Sequence, residues 1–157
     1  MTMKVMLDPG AKMPTRAHAY DAGLDLYTPI SCSVPATKTW IEIYPEEHIQ
    51  RTRSKVGSVT IDTGVHVEIP EGYVGFIKSK SGLNVNHGLT ADGVIDAHYT
   101  GSIKVKLYNH TDNLYHFQPG DKIAQLVILK CELPELELVD HLEDTDRGDG
   151  GFGSTGR

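Results

Sequence analysis

A period of two between apolar side chains is the feature that most limits the fold of this chain. Residues 65–69 and 103–107 alternate apolar and polar side chains, residues 127–129 are continuously apolar, and residues 136–138 alternate again. Short runs of this kind, separated by Gly, Pro, Asn and Asp, are typical of β-strands in a sandwich or barrel. The only helix predicted is a short one after Ser81-Gly82. We therefore expect residues 1–142 to form one all-β body, followed by a separate C-terminal segment.

The composition fits one globular domain in a reducing compartment. The chain has 157 residues, of which 39% are hydrophobic and 23% are charged, enough for a single domain with its own core. The formal net charge of −6 disfavours nucleic acid and anionic membranes as partners. Cys32 and Cys131 form no CxxC pair, and no apolar run reaches 18 residues. We expect a cytoplasmic protein with no nucleic-acid or membrane partner.

The C-terminal segment, residues 143–157, ends in a run that is rich in glycine. Residues 147–157 contain five glycines together with Arg147, Phe152, Ser154 and Thr155. Glycines let backbone N–H groups approach an anion closely, arginine and hydroxyl donors suit phosphate, and a phenyl ring can cover a flat base. A disordered linker is the other interpretation. A linker needs neither the arginine nor the phenylalanine, which favours a ligand-binding arm.

Polar clusters at two turns in the first half of the chain carry possible chemistry. Asp25 lies between apolar neighbours in residues 21–26 at the start of a predicted strand. It is either a functional carboxylate or a turn aspartate that caps its own backbone. Residues 78–83 place two lysines and two serines before a glycine. This segment either holds phosphate at the start of a helix or is a solvated basic turn.

Two further clusters lie in the second half of the chain. In residues 93–101, Asp96 follows an apolar pair and Tyr99 lies three residues later. Asp96 is a candidate general base for water, or an ordinary turn acid. Residues 117–126 contain a Pro-Gly turn that feeds a strand, and the simplest structure for this segment is a hairpin.

Several familiar catalytic motifs are absent from the sequence. The chain has no GxxxxGK[ST], HExxH, CxxC or GxSxG pattern. Its eight histidines are scattered with no ligand spacing on a predicted helix, which is typical of surface or strand histidines. These absences leave the four turn clusters and the C-terminal run as the candidate site.

Taken in order, these segments resemble the five motifs of the trimeric dUTPase family. The matching segments are residues 21–26, 79–83, 93–101, 119–126 and 147–156. The resemblance implies a small jelly-roll-like distorted β-barrel, of the β-clip type, that forms a homotrimer with three shared active sites. It implies Mg²⁺-dependent hydrolysis of dUTP to dUMP and pyrophosphate. The flexible arm, residues 143–157, would close a site that the other two subunits form.

The resemblance also implies a role for each matching residue. Asp96 corresponds to the base that activates water for attack on the α-phosphorus, and Tyr99 to the ring that leaves no space for a 2′-OH. Asp25 corresponds to the acid that supports hydrated Mg²⁺, an ion that keeps several waters and takes phosphate oxygens. The remaining positions correspond to contacts with the uracil and the phosphates: Lys80, Ser81, Gly82, Gly93, Ile95, Gln125, Arg147, Phe152, Gly153, Ser154 and Thr155.

The chain departs from the family pattern in three places. Lys80 stands where arginine is common, which keeps the charge but loses the bidentate fork. His98 stands where an acid is common, and we expect it to be peripheral. Residues 39–60 are longer than the usual connection between strands, and we interpret them as an exposed loop or hairpin. The alternative is that Arg51, Arg53 and Lys55 form a basic patch that contacts a partner or a neighbouring subunit.

Two other functions stay open at this level. The dCTP deaminases share the fold but carry a catalytic Glu where this chain has Lys106, and a lysine cannot replace a proton-shuttling carboxylate. A non-catalytic trimer that contacts another protein when nucleotide closes the arm is a different class of function. The presence of Asp25, Asp96, Tyr99 and Phe152 disfavours the loss of chemistry.

Overall fold

The computed structural model describes residues 2–150, which form twelve β-strands, one α-helix and one 3₁₀ turn. This confirms the prediction of an all-β body with one short helix. The elements in chain order are β1 (Lys4–Leu7), β2 (Gly23–Tyr27), β3 (Cys32–Val34), β4 (Lys38–Tyr44), the 3₁₀ turn (Pro45–Glu47), β5 (Ile49–Lys55), β6 (Gly57–Asp62), β7 (Val65–Glu68), β8 (Tyr73–Lys78), α1 (Ser81–His87), β9 (Leu89–Ile95), β10 (Lys104–Asn109), β11 (Tyr115–Phe117) and β12 (Lys122–Lys130).

A six-stranded antiparallel sheet forms the body, in the order β2-β12-β8-β9-β10-β6. Strand β12 contains the continuous apolar run at residues 127–129 and lies between β2 and β8. Two small antiparallel pairs, β1-β7 and β3-β11, complete the body. Because sequence neighbours such as β2 and β3 belong to different sheets, the chain crosses repeatedly between layers, as in a jelly roll.

The core lies between these layers and follows the alternation of the sequence. Val65 and Val67 of β7 are buried, whereas His66 is half-buried and Glu68 is exposed. Val105 and Leu107 of β10 are likewise buried, whereas Lys104 and Lys106 are exposed. Each fully buried side chain of this size contributes about 2 kcal/mol of hydrophobic free energy. The largest buried side chains are Phe117, Leu26, Ile61, Ile69, Ile77, Leu89, Ile103, Leu107, Ile123 and Leu126.

Helix α1 begins directly after Lys80, as the Ser81-Gly82 signal predicts. It ends at Gly88, whose φ of 60° is left-handed and whose N–H donates to Asn84 O at 2.9 Å. A glycine that follows a helix in this conformation is a common stop. Leu83 packs against the core, and no side chain of the helix is fully buried. The helix therefore serves mainly to return the chain from β8 to β9 and to hold the turn at residues 79–81.

The longer segment at residues 39–60 contains the hairpin β4-β5, so the prediction of an exposed loop or hairpin is confirmed. The two strands pair in register from Lys38↔Lys55 to Tyr44↔Ile49. On one face, Glu42 accepts hydrogen bonds from Tyr44 Oη at 2.6 Å and Arg53 Nε at 2.9 Å. On the other face, Ile41 and Ile43 are 61% and 65% exposed. The side chains of the β4-β5 hairpin are mostly exposed to solvent within the single chain.

Two predicted elements are wrong. Residues 136–138 alternate but do not form a strand, because this part of the chain has no sheet partner among residues 2–150. Leu136 and Leu138 are instead 96% and 100% exposed. The Pro-Gly turn at residues 119–120 does not make a hairpin either, because β11 pairs with β3 and β12 pairs with β2. Across the described residues, no helix is long and apolar enough to cross a membrane.

Candidate functional site

Strands β2 and β12 bring the first and fourth of the five motifs together. Asp25 lies directly opposite Gln125 in the register of this pair. Asp25 is only 3% exposed, so it is a buried carboxylate in mid-strand and not a solvated turn residue. A Cβ on Gly23 would overlap the side chain of Gln125, which explains the glycine at this position. Local packing in this strand pair therefore fixes both polar side chains.

Two lysines surround the buried carboxylate of Asp25. The ammonium of Lys80 contacts Oδ1, and Lys122 Nζ lies 2.7 Å from Oδ2. Burial raises the pKa of Asp25, but hydrogen bonds from Lys122 and Lys80 outweigh it and hold the pKa below its usual value of 3.8. The same contact raises the pKa of Lys122. At neutral pH the cluster therefore carries two ammonium groups and one carboxylate, a net charge of +1.

The turn after β8 is fixed by its own hydrogen bonds. Gln125 Nε2 donates to the carbonyl of Ser79 at 2.9 Å, and Ala91 N donates to Ser79 Oγ at 2.9 Å. These bonds orient the turn so that Lys80 faces Asp25, while Ser81 and Gly82 lie exposed at the start of α1. We call Asp25, Lys80, Ser81, Lys122 and Gln125 the cationic half-site. Ammonium, hydroxyl and amide donors of this kind suit a polyphosphate.

A second group of functional side chains lies in the turn after β9. Asp96 follows the last residue of β9 and is exposed, and the N–H of Tyr99 donates to its carbonyl at 3.2 Å. The Tyr99 hydroxyl donates to the carbonyl of Ser102 at 3.1 Å. A Cβ on Gly101 would overlap the Tyr99 ring, so a glycine is required there. We call Asp96 and Tyr99 the carboxylate half-site.

His98, the residue expected to be peripheral, lies in this turn in a left-handed conformation with φ of 67°. Its side chain is exposed and, with Asp96, Tyr73 and Cys131, lines a pocket of about 230 Å³. Left-handed conformations are uncommon for residues other than glycine, although asparagine, aspartate and histidine adopt them more often than most. The turn that carries Asp96 includes this conformation at His98.

The two half-sites lie at opposite ends of one strand pair. Lys78, which leads into the cationic half-site, pairs with Asp92, whereas Ile95, which leads into the carboxylate half-site, pairs with Gly75. Three residues of strand separate these pairs, a distance of about 10 Å before either turn is counted. Within a single chain, the candidate general base and the candidate phosphate ligands are therefore apart.

The backbone between the half-sites has a free edge. Strand β9 pairs with β8 over Asp92–Ile95, but its pairing with β10 covers only Leu89, Thr90 and Ala91. On the β10 side, residues 93–95 thus have no strand partner within residues 2–150. The side chain of Ile95 is buried in the core, so its main chain is the part that can contact a ligand. Backbone donors and acceptors along this edge suit the rim of a planar base.

The fifth motif is only partly within the described residues. Arg147 is exposed in a turn in which its Nε donates to Gly150 O at 3.1 Å, and Gly148 has φ of 49°. Phe152, Gly153, Ser154 and Thr155 lie outside the residues that the structure describes. Residues 131–150 contain no strand or helix.

Sequence reasoning missed two residues that build the site: Lys122, which belongs to the cationic half-site, and Ser79, which anchors its turn. Both lie in motif segments, but neither was assigned a role. Strict alternation along β12 would place Lys122 and Gln125 on opposite faces of the strand. The register with β2 shifts between Lys122 and Ala124, an irregularity of the bulge type that alters which face a side chain takes. A bulge leaves little trace in a single sequence, although the charge of Lys122 beside a motif was an available signal.

Comparison with known proteins identifies the family. The family model described as dUTPase matches residues 43–156. The deoxyuridine 5′-triphosphate nucleotidohydrolase of Candida albicans is 37% identical over an alignment of 161 positions, which covers 99% of this chain and 89% of that protein. The corresponding protein of Corynebacterium efficiens is 43% identical, with 96% of this chain and 75% of that protein covered.

Solved structures agree with this family and confirm the predicted fold class. The dUTPase of Staphylococcus bacteriophage 80alpha with dUpNHpp superposes with a TM-score of 0.80 at 30% identity, covering 99% of both chains. A mutant dUTPase of phage phi11 of S. aureus, described as revealing the coordination of a structural Mg(II) ion, superposes at 0.73 with 28% identity, covering 92% of this chain and all of that one. This chain belongs to the dUTPase family.

Proposed function

We propose that this chain is a dUTP diphosphatase, which hydrolyses dUTP to dUMP and pyrophosphate through attack of water on the α-phosphorus. Membership of the family and the names of the relatives support the reaction. The observation that carries the assignment in this chain is the pair of half-sites, one cationic and one with an exposed carboxylate beside a tyrosine. In the cell this activity would limit uracil incorporation into DNA and supply dUMP for dTMP synthesis.

The active site would be shared between subunits of a homotrimer. Because one chain keeps its half-sites apart, a complete site needs the cationic half-site of one copy against the carboxylate half-site of another. The C-terminal segment offers an apolar surface for such an assembly, since Leu133, Leu136, Leu138 and Leu142 are largely exposed in the single chain. Exposed leucines in this number are typical of an interface. The arm, residues 143–157, would then close the site from a third copy.

Asp96 would act as the general base and Tyr99 as the residue that excludes ribonucleotides. The exposed carboxylate of Asp96 is free to accept a proton from a water aligned with the α-phosphorus. Tyr99, whose hydroxyl donates to Ser102 O, would pack its ring beneath the deoxyribose and leave no room for a 2′-OH. The free β9 edge at Gly93 and Ile95 would read the uracil by backbone hydrogen bonds.

The cationic half-site would hold the triphosphate. Lys80 and Lys122 supply positive charge, while Ser81, the backbone at Gly82, and Gln125 supply neutral donors. Charge neutralisation and in-line positioning are the main requirements of a displacement that expels pyrophosphate. Lys80 does this as a point charge, without the bidentate fork of an arginine. Asp25 holds both ammonium groups in place.

Mg²⁺ is the proposed cofactor, held mainly by the triphosphate. Among residues 2–150, no group of three or more His, Cys, Asp or Glu side chains is placed to hold a metal. Asp25 is a buried carboxylate whose two oxygens contact Lys80 and Lys122, so it would support the waters of the ion only when these lysines turn toward the triphosphate. When bound, Mg²⁺ would neutralise charge on the leaving pyrophosphate. Turnover is expected to stop in excess chelator and to return when Mg²⁺ is added.

The arm would complete the site by closing over the nucleotide. Arg147, Ser154 and Thr155 would hold the β- and γ-phosphates, and Phe152 with Gly153 would cover the uracil. Closure would also exclude bulk water from the reacting phosphorus.

The reaction is tested by pyrophosphate release with Mg²⁺ from dUTP, dCTP, dTTP and UTP, with ammonia release measured alongside. Release from dUTP alone is expected, and Asp96→Asn should reduce it at least 100-fold, on the order of the contribution of a general base. Asp92→Asn is the matched control, since Asp92 is an exposed carboxylate on the same strand that pairs with Lys78. Ammonia from dCTP would instead establish a deaminase and contradict the proposal.

A regulatory role beside catalysis is a second candidate. The solved structures of the phage 80alpha dUTPase come with the description that phage dUTPases control transfer of virulence genes by a proto-oncogenic G protein-like mechanism. The exposed β4-β5 hairpin of this chain is a surface available to a protein partner. A variant Asp96→Asn that binds nucleotide but loses every cellular effect would rule out a purely regulatory role.

A further inference from the structure

His66 touches the turn that carries the sugar-selecting tyrosine, and it does so in an unusual electrostatic setting. Its Nδ1 lies 2.8 Å from the carbonyl oxygen of Thr100, the residue after Tyr99. Its Nε2 lies 3.2 Å from Oδ2 of Asp8, which follows strand β1. We infer that His66 is a positioning residue, held as an imidazolium between Asp8 and Thr100, that fixes Tyr99 for discrimination between dUTP and UTP. This inference rests on the proposed function of Tyr99.

The partners of the ring decide its protonation. A carbonyl oxygen can only accept, so Nδ1 must carry a proton, and a carboxylate at Nε2 is best satisfied by a second proton. Nε2 is buried and makes no hydrogen bond within residues 2–150, so its 3.2 Å contact with Asp8 Oδ2 acts through charge. The hydrogen bond to Thr100 and then the contact with Asp8 raise the pKa of His66 above its ordinary value of 6.5, against the effect of burial.

The rest of the turn is anchored by groups that do not titrate near neutral pH. Ile103 N donates to the carbonyl of Val65 at 2.8 Å, and Ser102 Oγ donates to Asp62. These bonds hold the far end of the turn against β6 and β7. His66 is in β7 as well, and its ring reaches the segment between Ser102 and Tyr99. Among the contacts that hold this turn, the one from His66 to Thr100 is thus the one that is sensitive to pH near neutrality.

The other charged groups near the ring reinforce this state. Asp8, after β1, and Asp62, at the end of β6, both favour a positive ring. On the adjoining strands, Lys104 of β10 faces Asp62 across the ladder, and Lys4 of β1 is paired with Glu68 at 3.0 Å. Asp8 and Asp62 are therefore the charges that act on the imidazole. Each of the two lysines is matched by an acid, since Lys104 lies opposite Asp62 and Lys4 pairs with Glu68.

Loss of the proton should loosen the turn. A neutral imidazole has a single N–H and can serve either Thr100 or Asp8, but not both. When Thr100 is released, the ring of Tyr99 can shift and open space for a 2′-OH. Selectivity for dUTP over UTP, expressed as the ratio of kcat/KM values, should therefore fall as pH rises through the pKa of His66.

The experiment measures kcat and KM for dUTP and UTP between pH 6 and 9.5 in the wild type, His66→Gln and Asp8→Asn. In the wild type the selectivity ratio should fall roughly three- to tenfold across one titration, the scale of one ordinary hydrogen bond. In His66→Gln the ratio should be low and independent of pH. In Asp8→Asn the midpoint should move to lower pH, a shift that a merely structural role would not produce.

His116→Gln is the matched control. Its ring lies between two hydroxyls, of Ser31 at 3.2 Å and Ser33 at 2.9 Å, away from both half-sites. It should leave the selectivity and its pH profile unchanged. An NMR titration of the wild type adds a test that does not depend on activity, because the His66 ring should titrate above 6.5 and Asp8→Asn should lower that value.

Three results separate the claims. No turnover of dUTP by the wild type would overturn the proposed function. Normal turnover with the same selectivity at every pH, in the wild type and in His66→Gln, would overturn only the role of His66. An NMR pKa for His66 at or below 6.5 would overturn it even if a variant failed to fold.

Discussion

Asp25 shows how a single residue can join stability to substrate binding. It is a buried carboxylate with an ammonium group at each oxygen, so removing its charge leaves two lysines facing one another. Removing one partner of a buried ion pair lowers the free energy of unfolding more than removing an exposed ion pair does. Because Lys80 and Lys122 are partly exposed, solvent reduces this cost.

We predict that Asp25→Asn lowers the free energy of unfolding by about 2 kcal/mol at pH 7. The native pKa of Asp25 lies below 3.8, so its contribution is complete above the unfolded pKa and is lost as pH falls through the native pKa. The difference between wild type and variant should thus shrink below about pH 4. Denaturant unfolding at several pH values measures this difference in the free energy of unfolding.

Asp92→Asn, which removes an exposed ion pair with Lys78, is the control for this prediction and should lower the free energy of unfolding by much less than Asp25→Asn does. Equal losses of unfolding free energy in Asp25→Asn and Asp92→Asn would contradict the account of Asp25. A difference between wild type and Asp25→Asn that is as large at pH 2 as at pH 7 would also contradict it.

At the scale of elements, local patterns predicted strands and the helix but not their pairing. The runs at residues 65–69, 103–107 and 127–129 became β7, β10 and β12, because each can bury one face or both. Residues 136–138 alternate equally well, but alternation does not provide a partner strand. The turn at residues 119–120 was recognised, while the pairing of β11 with β3 depends on distant contacts.

The same limit applies to the candidate site. Most of its residues were assigned through resemblance, motif by motif. The two anchors Lys122 and Ser79 appear only when three strands and a turn come together. The separation of the half-sites is likewise a property of the β8-β9 register and cannot be read from spacing in the sequence.

The β4-β5 hairpin is the element whose role is least connected to the half-sites. Within the chain, Arg53 pairs with Glu42 and Arg51 lies over the ring of Tyr44, so neither contacts the half-sites. Replacing Arg51, Arg53 and Lys55 with alanine should leave kcat for dUTP within about twofold of the wild type and should leave the assembly intact. Loss of assembly in sedimentation would instead place this basic surface at a subunit interface.

At the scale of the whole molecule, assembly and catalysis should be separable. Deleting residues 147–157 removes the proposed phosphate and uracil contacts of the arm but leaves every strand in place. We predict that the truncated chain forms an assembly with the same number of subunits as the full chain and has no measurable turnover. Light scattering and pyrophosphate release check the two parts, and a truncated chain with normal kcat would contradict the role of the arm.

The measurement that tests the account most directly is complementation between two inactive variants. Asp96→Asn lacks the base, and Lys80→Ala with Gln125→Ala lacks phosphate ligands, so each should be inactive alone. When the two are co-expressed with different tags and mixed trimers are purified, one of the three sites in each trimer should join an intact cationic half-site to an intact carboxylate half-site and restore about a third of wild-type turnover. Mixed assemblies with no more activity than the parents would show that each site is built within one chain.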